Sequence, residues 1–139
     1  MALNHILIPY FTSDSSWRAA RHGIELAKEH DCVITVMAFM PISFLNQGFF
    51  LLSGNTAGSF IGGLRPELES LKKQADDSKV KFFIEMRSFF NLEQAIIDFV
   101  DQNNVDFIII GEQGKLFNLT ETGIDYIKKN TNCIIKIME

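Results

Sequence analysis

The stretch His5–Phe39 (HILIPYFTSDSSWRAARHGIELAKEHDCVITVMAF) predicts a strand, a helix and a second strand. His5–Tyr10 and Cys32–Phe39 are apolar runs typical of strands that are buried on both faces. Between them, Ser13 or Asp14 can cap a helix, because a short side-chain oxygen accepts a hydrogen bond from the first helical turn. The apolar residues of this helix recur at helical spacing: Trp17, Ala20, Ile24 and Ala27. A strand–helix–strand unit of this kind joins parallel strands of one sheet.

The rest of the chain continues the alternation of strands and helices. Three further apolar runs predict strands: Val80–Met86, Val105–Gly111 and Cys133–Met138. The clearest helix precedes the fourth strand, where Asn91 with Gln94 resembles a capping box. Its apolar face is formed by Leu92, Ala95, Ile96, Phe99 and Val100. Another helix is expected from about Leu119 to Lys129. Five such strands predict an α/β fold of three layers, α/β/α, with helices on both faces of a parallel sheet.

The segment Ile42–Gly63 interrupts this alternation. It is apolar but rich in glycine, and no run reaches the ~18 apolar residues of a membrane span. Connections of this length inside a compact domain tend to be lids or binding loops. We interpret it as an irregular flap that packs over its own sheet edge, or that covers a ligand or protein partner with four phenylalanines: Phe44, Phe49, Phe50 and Phe60. The stretch Arg65–Lys79 then predicts a short helix with Pro66 in its first turn. Its apolar face comprises Leu64, Leu68, Leu71 and Ala75.

Length and composition limit the class of protein. A chain of 139 residues, 47% of them hydrophobic, predicts a single domain that spans residues 1–139. The net charge of -4 and the scattered positions of the 13 basic residues argue against nucleic acid as a partner. Cys32 and Cys133 lack the spacing of a zinc site or a redox pair, so we expect buried free thiols. The N-terminus has no basic leader and reads as a first strand, which predicts a cytoplasmic protein.

Ligands of an open parallel sheet bind beyond the carboxyl ends of its strands, where the strand order reverses. The first and fourth strands usually flank that crevice, so the segments after them are the candidate site: PYFTSDSS and GEQGKLFNLTETG. Gly111 and Gly114 allow backbone amides to approach an anion, and Thr120 or Thr122 can add a hydroxyl near a helix N-terminus. Glycines after strands are also ordinary turn residues. The pattern therefore leaves both phosphate binding and a plain turn open.

Catalytic and metal chemistry have weak signals in this sequence. His5, His22 and His30 have no partner at metal-ligand or catalytic spacing, and we expect structural or solvated roles for them and no metal site. Ser15 and Ser16 lack a glycine-flanked elbow and favour helix capping over nucleophilic catalysis. No general base is positioned by the sequence, so an enzymatic activity is not indicated.

The pattern His5–Phe39, followed by VDFIIIGEQG (Val105–Gly114) and TNCIIKIM (Thr131–Met138), resembles the universal stress protein family, which is adenine nucleotide alpha hydrolase-like. The likeness covers both ends of the chain and leaves out the middle, from Pro41 to about Lys79. It implies a parallel sheet in the order 3-2-1-4-5 and a homodimer through the last strand, Cys133–Met138. Some members of that family bind nucleotides and others do not, so the resemblance leaves both possibilities open. The binders carry G-x2-G-x9-G-[ST] after the fourth strand and an aspartate two residues after the proline that ends the first strand.

This chain departs from both nucleotide-binding motifs. Phe11 stands where the resemblance implies a carboxylate that accepts hydrogen bonds from ribose. With Gly123 as the third glycine, the spacer is one residue short and Ile124 replaces the hydroxyl. Aligned instead from the last strand backwards, Thr122 supplies the hydroxyl and Glu121 replaces the glycine. A glutamate beside a triphosphate costs on the order of 1–4 kcal/mol per unscreened contact. The sequence thus predicts a degenerate phosphate loop.

Two functions follow as hypotheses. In the first, the protein is a non-catalytic regulatory or signalling module that acts through its dimer and its flap. In the second, it binds ATP or AMP weakly, with slow hydrolysis at most. The candidate nucleotide-contacting positions are Pro9, Phe11, Thr12, Ser13, Phe39, Ile110, Gly111, Gly114, Thr122 and Gly123. The shape of the 111–123 loop, and whether Phe11 fills the ribose position, separate the two hypotheses.

Overall fold

The computed structural model describes residues 3–11, 13–41, 54–89, 91–111 and 119–138, with the backbone alone at 39–41, 54–65 and 88–89. Strands and helices alternate along these ranges. The strands are β1 (His5–Tyr10), β2 (Val33–Pro41), β3 (Phe82–Phe89), β4 (Phe107–Gly111) and β5 (Ile134–Met138). The helices are α1 (Asp14–His30), α2 (Gly54–Asp77), α3 (Leu92–Asn103) and α4 (Glu121–Asn130).

The five strands form one sheet in the order β3-β2-β1-β4-β5, and all four pairings are parallel. This confirms the predicted fold class and strand order. β1 is central and pairs with β2 along its full length, from His5 opposite Val33 to Tyr10 opposite Ala38. On its other side it pairs with β4, where Ile6 lies opposite Phe107. The carboxyl ends of β1 and β4 are therefore neighbours, as the crevice between them requires.

Alternate residues of the strands face two separate apolar layers. Ile6, Ile8 and Tyr10 of β1 pack in a cluster with residues of α1 and α2, whereas Leu7 packs in a second cluster with residues of α3 and α4. The apolar runs of β1, β2 and β4 are buried, as expected for strands covered on both faces, and their buried residues include Ile6, Ile8, Ile34, Val36, Ile108 and Ile110. The sheet is thus the middle layer of a three-layer α/β/α arrangement.

Side-chain caps fix where three of the helices begin. Ser13 caps α1 by accepting a hydrogen bond from the backbone N–H of Ser16. Of the two residues predicted as possible caps, Ser13 and Asp14, the structure selects Ser13. Asn91 caps α3 in the same way, but the side chain of Gln94 donates to Asp98 rather than returning to the cap. Only half of the predicted capping box is therefore present. Thr120 caps α4 through the N–H of Gly123.

The structure corrects the prediction for the middle of the chain. α2 begins at Gly54, so residues 54–63 are helical in backbone and not irregular. Pro66 lies inside this helix rather than in its first turn. Residues 42–53, including Phe44, Phe49 and Phe50, lie outside the described residues, as does the side chain of Phe60. A partner-binding flap therefore stays a prediction.

One smaller correction concerns the burial of a cysteine. Cys133 is only partly buried, whereas Cys32 is buried as expected. Within the described parts of the chain, none of the helices combines the length and the apolar character that crossing a membrane requires.

Candidate functional site

Phe11 follows β1 directly, and its side chain is buried in the core. Its side chain is 1% exposed and belongs to the cluster on the α3/α4 face, together with Met37, Leu92 and Leu119. Its backbone N–H donates to the hydroxyl of Ser16, 3.1 Å away. The position at which the resemblance implies a ribose-binding carboxylate therefore holds a benzyl group that is part of the core.

The hydroxyls after β1 bond to one another at the start of α1. Ser13 Oγ lies 3.1 Å from the hydroxyls of both Ser15 and Ser16, and it accepts from the N–H of Ser16 at 3.0 Å. Ser15 and Ser16 are both buried. The cap itself is Ser13, whereas Ser15 and Ser16 lie inside the first turn of α1, so the capping role expected for these two serines is wrong. Thr12, the other predicted hydroxyl, lies outside the described residues.

Gly111, the last residue of β4, packs against the first turn of α1. A Cβ placed on Gly111 would lie 2.4 Å from the backbone carbon of Ser15 and 2.4 Å from the nitrogen of Ser16. Because those atoms belong to a helix backbone, they cannot rotate away. The glycine is therefore required for strand-to-helix packing, a role that the sequence pattern of a phosphate loop does not reveal. Gly114, its partner in the motif, lies outside the described residues.

Thr122 and Gly123 line a second region, a cleft of about 370 Å³ between the N-terminal turns of α3 and α4. The other lining residues are Asn91, Glu93, Thr120 and Tyr126. A Cβ on Gly123 would lie 2.4 Å from Oε1 of Glu93, so this carboxylate rests against the first turn of α4. Glu93 is not among the site residues that the sequence predicts. Nothing in the local sequence links it to a glycine that lies 30 positions further along the chain.

Tyr10, beside Pro9 on β1, faces the opposite layer. It is buried, and its hydroxyl lies near the carboxylate of Glu67, although no hydrogen bond of good geometry joins the two. Burial raises the pKa of Tyr10 well above its usual range, and the carboxylates of Glu67 and Asp14 raise it further. The phenol therefore stays neutral at physiological pH and is not a base for chemistry in the crevice.

The other reactive side chains of the described residues have structural contacts. His5 bonds through one ring nitrogen to the carbonyl of Asn103 and through the other to the hydroxyl of Thr35. Burial raises the pKa of both thiols, Cys32 and Cys133, which keeps them protonated. Within the described ranges, no group of three or more His, Cys, Asp or Glu side chains could hold a metal ion.

The fold and the crevice can now be compared with known proteins. A model of the universal stress protein family matches residues 2–120. The chain belongs to the universal stress protein family. A universal stress protein of Methanocaldococcus jannaschii is 28% identical to it over an alignment of 148 positions. The alignment covers 96% of this chain and 81% of that protein.

Solved structures of universal stress proteins share the fold. The protein UspA of Lactobacillus plantarum has a TM-score of 0.73 and 17% identity, with 100% of this chain and 99% of that one covered. A universal stress protein family protein of Arabidopsis thaliana with AMP bound has a TM-score of 0.60 and 14% identity, with 96% and 90% covered. At such identities the likeness shows the fold alone, and the ligand of a relative does not transfer directly to this universal stress protein.

Proposed function

We propose that this chain is a non-catalytic regulatory module of the universal stress protein family, in which the nucleotide crevice is filled by the chain's own side chains. The observation that carries the proposal is Phe11. A buried benzyl group takes the place of a ribose-binding carboxylate and is held there by the N–H of Phe11 bonding to Ser16. A ribose would have to displace this core side chain in order to bind.

The energetic consequence is a large loss of nucleotide affinity. A charge-assisted hydrogen bond contributes about 1.5–3 kcal/mol. Losing the two or three bonds that a carboxylate and a complete phosphate loop supply moves a micromolar dissociation constant beyond about 1 mM. The glycine at position 111 is not evidence for a working phosphate loop, because its packing against the backbone of Ser15 and Ser16 already requires a glycine.

Calorimetric titration with ATP and with AMP tests this proposal. We expect no saturable binding below about 1 mM. The purified protein should also release no nucleotide when it is denatured. A dissociation constant in the low micromolar range, or stoichiometric release of a nucleotide, would contradict the proposal.

The second candidate function is weak ATP or AMP binding. It is favoured by the AMP that the Arabidopsis thaliana protein carries and by Thr122, whose position at the N-terminus of α4 suits an anion. Measurable binding in the same titration, at any concentration below about 1 mM, would select this candidate.

We propose further that the module acts as a homodimer through β5. This strand forms an open edge of the sheet, and its side chains Ile134 and Ile137 are 41% and 46% exposed. An apolar open edge pairs readily with another strand, and a second copy supplies an identical one.

Replacing Ile137 by lysine is expected to convert the dimer into a monomer, because each copy would bring a charge to the apolar contact. The matched control is Phe83→Lys, at a side chain that is 56% exposed on the opposite edge strand, β3. Light scattering at micromolar concentration measures both variants. A monomeric wild type, or dissociation by Phe83→Lys but not by Ile137→Lys, would rule out pairing through β5.

A further inference from the structure

We propose that the carboxylate of Glu93 is an internal anion that keeps phosphate groups away from the first turn of α4. This inference rests on the proposed function. It adds one residue, Glu93, that the nucleotide-binding motifs do not include. It concerns the cleft between α3 and α4, where Thr122 and Gly123 lie.

The first step is the contact between Glu93 and Gly123. Oε1 of Glu93 lies 2.4 Å, and its Cγ and Cδ lie 3.2 Å, from the place where a Cβ of Gly123 would be. Any other residue at position 123 would push the carboxylate aside. The glycine therefore creates the space in which Glu93 rests against α4.

The second step concerns the backbone N–H groups at the N-termini of α3 and α4, the two helix ends that line the same cleft as Glu93. In α3 the N–H of Gln94 is taken by Asn91, and in α4 the N–H of Gly123 is taken by Thr120. The first two N–H groups of each helix have no acceptor among the described residues: those of Leu92, Glu93, Glu121 and Thr122. Two helix N-termini, each equivalent to roughly half a positive charge, thus meet at one cleft.

The third step is the consequence for an incoming phosphate. Such a pair of helix ends attracts an anion. Glu93 already supplies a negative charge at this position, and a phosphate placed beside it would be repelled. Removing the charge of Glu93, or moving it away, should therefore raise the affinity for phosphate at least about tenfold.

Thermal melting in inorganic phosphate, against sodium chloride of the same ionic strength, tests the proposal. For Glu93→Gln we expect phosphate to raise Tm by about 3 °C or more, because a ligand that binds only the folded state stabilises it. Gly123→Ala should give the same response by a different route, since the new methyl group displaces the Glu93 side chain. Wild type should show no phosphate-dependent rise.

Asp101→Asn is the matched control, because Asp101 is an exposed carboxylate in the last turn of α3, at the other end of the helix from Glu93. It should respond to phosphate as wild type does. A rise in Asp101→Asn equal to that in Glu93→Gln would overturn the proposal, because net charge alone would explain it. The absence of a rise in both Glu93→Gln and Gly123→Ala would overturn it as well. The proposed function fails by a separate result, which is tight ATP or AMP binding by the wild type.

Discussion

Replacing Phe11 by alanine is expected to lower the free energy of unfolding by about 3–5 kcal/mol. Phe11 is 1% exposed and packs with Met37, Leu92 and Leu119 on one face of the sheet. Truncation removes the buried ring and leaves a cavity above the carboxyl end of β1 that a rigid sheet cannot close. Urea unfolding of the two proteins, followed by circular dichroism, measures the difference.

The control for this change is Phe83→Ala on β3. It removes the same ring from a position that is 56% exposed, so we expect a loss below about 1 kcal/mol. Equal losses in the two variants would mean that Phe11 is not a core side chain. The proposal that its ring occludes the nucleotide crevice would then lose its support. If Phe11→Ala folds and gains affinity for AMP over the wild type, the ring is what blocks the ribose position.

Replacing Gly111 by alanine is expected to lower the free energy of unfolding by about 3 kcal/mol, a large cost for one methyl group. The added Cβ would meet the backbone of Ser15 and Ser16 at 2.4 Å, so either α1 or β4 must shift. The same shift would disturb the hydrogen bond by which Ser13 caps α1. The midpoint of urea unfolding gives the size of the loss.

Gly123→Ala is the matched control for this glycine, because its Cβ also has a neighbour at 2.4 Å. That neighbour is the end of the flexible Glu93 side chain, which can rotate away. Alanine also favours a helix over glycine by up to about 1 kcal/mol. We therefore expect Gly123→Ala to change the stability by less than about 1 kcal/mol in either direction. A similar loss at both glycines would show that the distinction between backbone and side-chain contacts does not hold here.

The local pattern of the sequence predicted a parallel α/β sheet, and the resemblance to universal stress proteins implied the strand order. Apolar runs separated by helical periodicity predicted five strands, and the buried residues Ile8, Ile34 and Ile108 lie where that pattern places them. The start of α2 at Gly54 was missed. The segment before Arg65 is rich in glycine, which lowers helix propensity, so the local signal there indicates an irregular chain.

The candidate site was predicted less completely. The motif comparison identified Phe11 as a departure, but only the structure shows that its ring is part of the core. Gly111 matched the first glycine of the motif, and Gly123 matched the third in one of two alignments. In the structure Gly111 faces the backbone of α1, and Gly123 faces the carboxylate of Glu93. Glu93 itself had no signal in the sequence.

The sequence by itself determined the strands and helices and the parallel sheet, because each is expressed in neighbouring residues. Only the tertiary structure decided that the ring of Phe11 is buried in the core and which atoms approach each glycine. The physical reason is distance along the chain. The contacts of Gly111 with Ser15 and of Gly123 with Glu93 join segments that are far apart in sequence, and close packing in three dimensions brings them together.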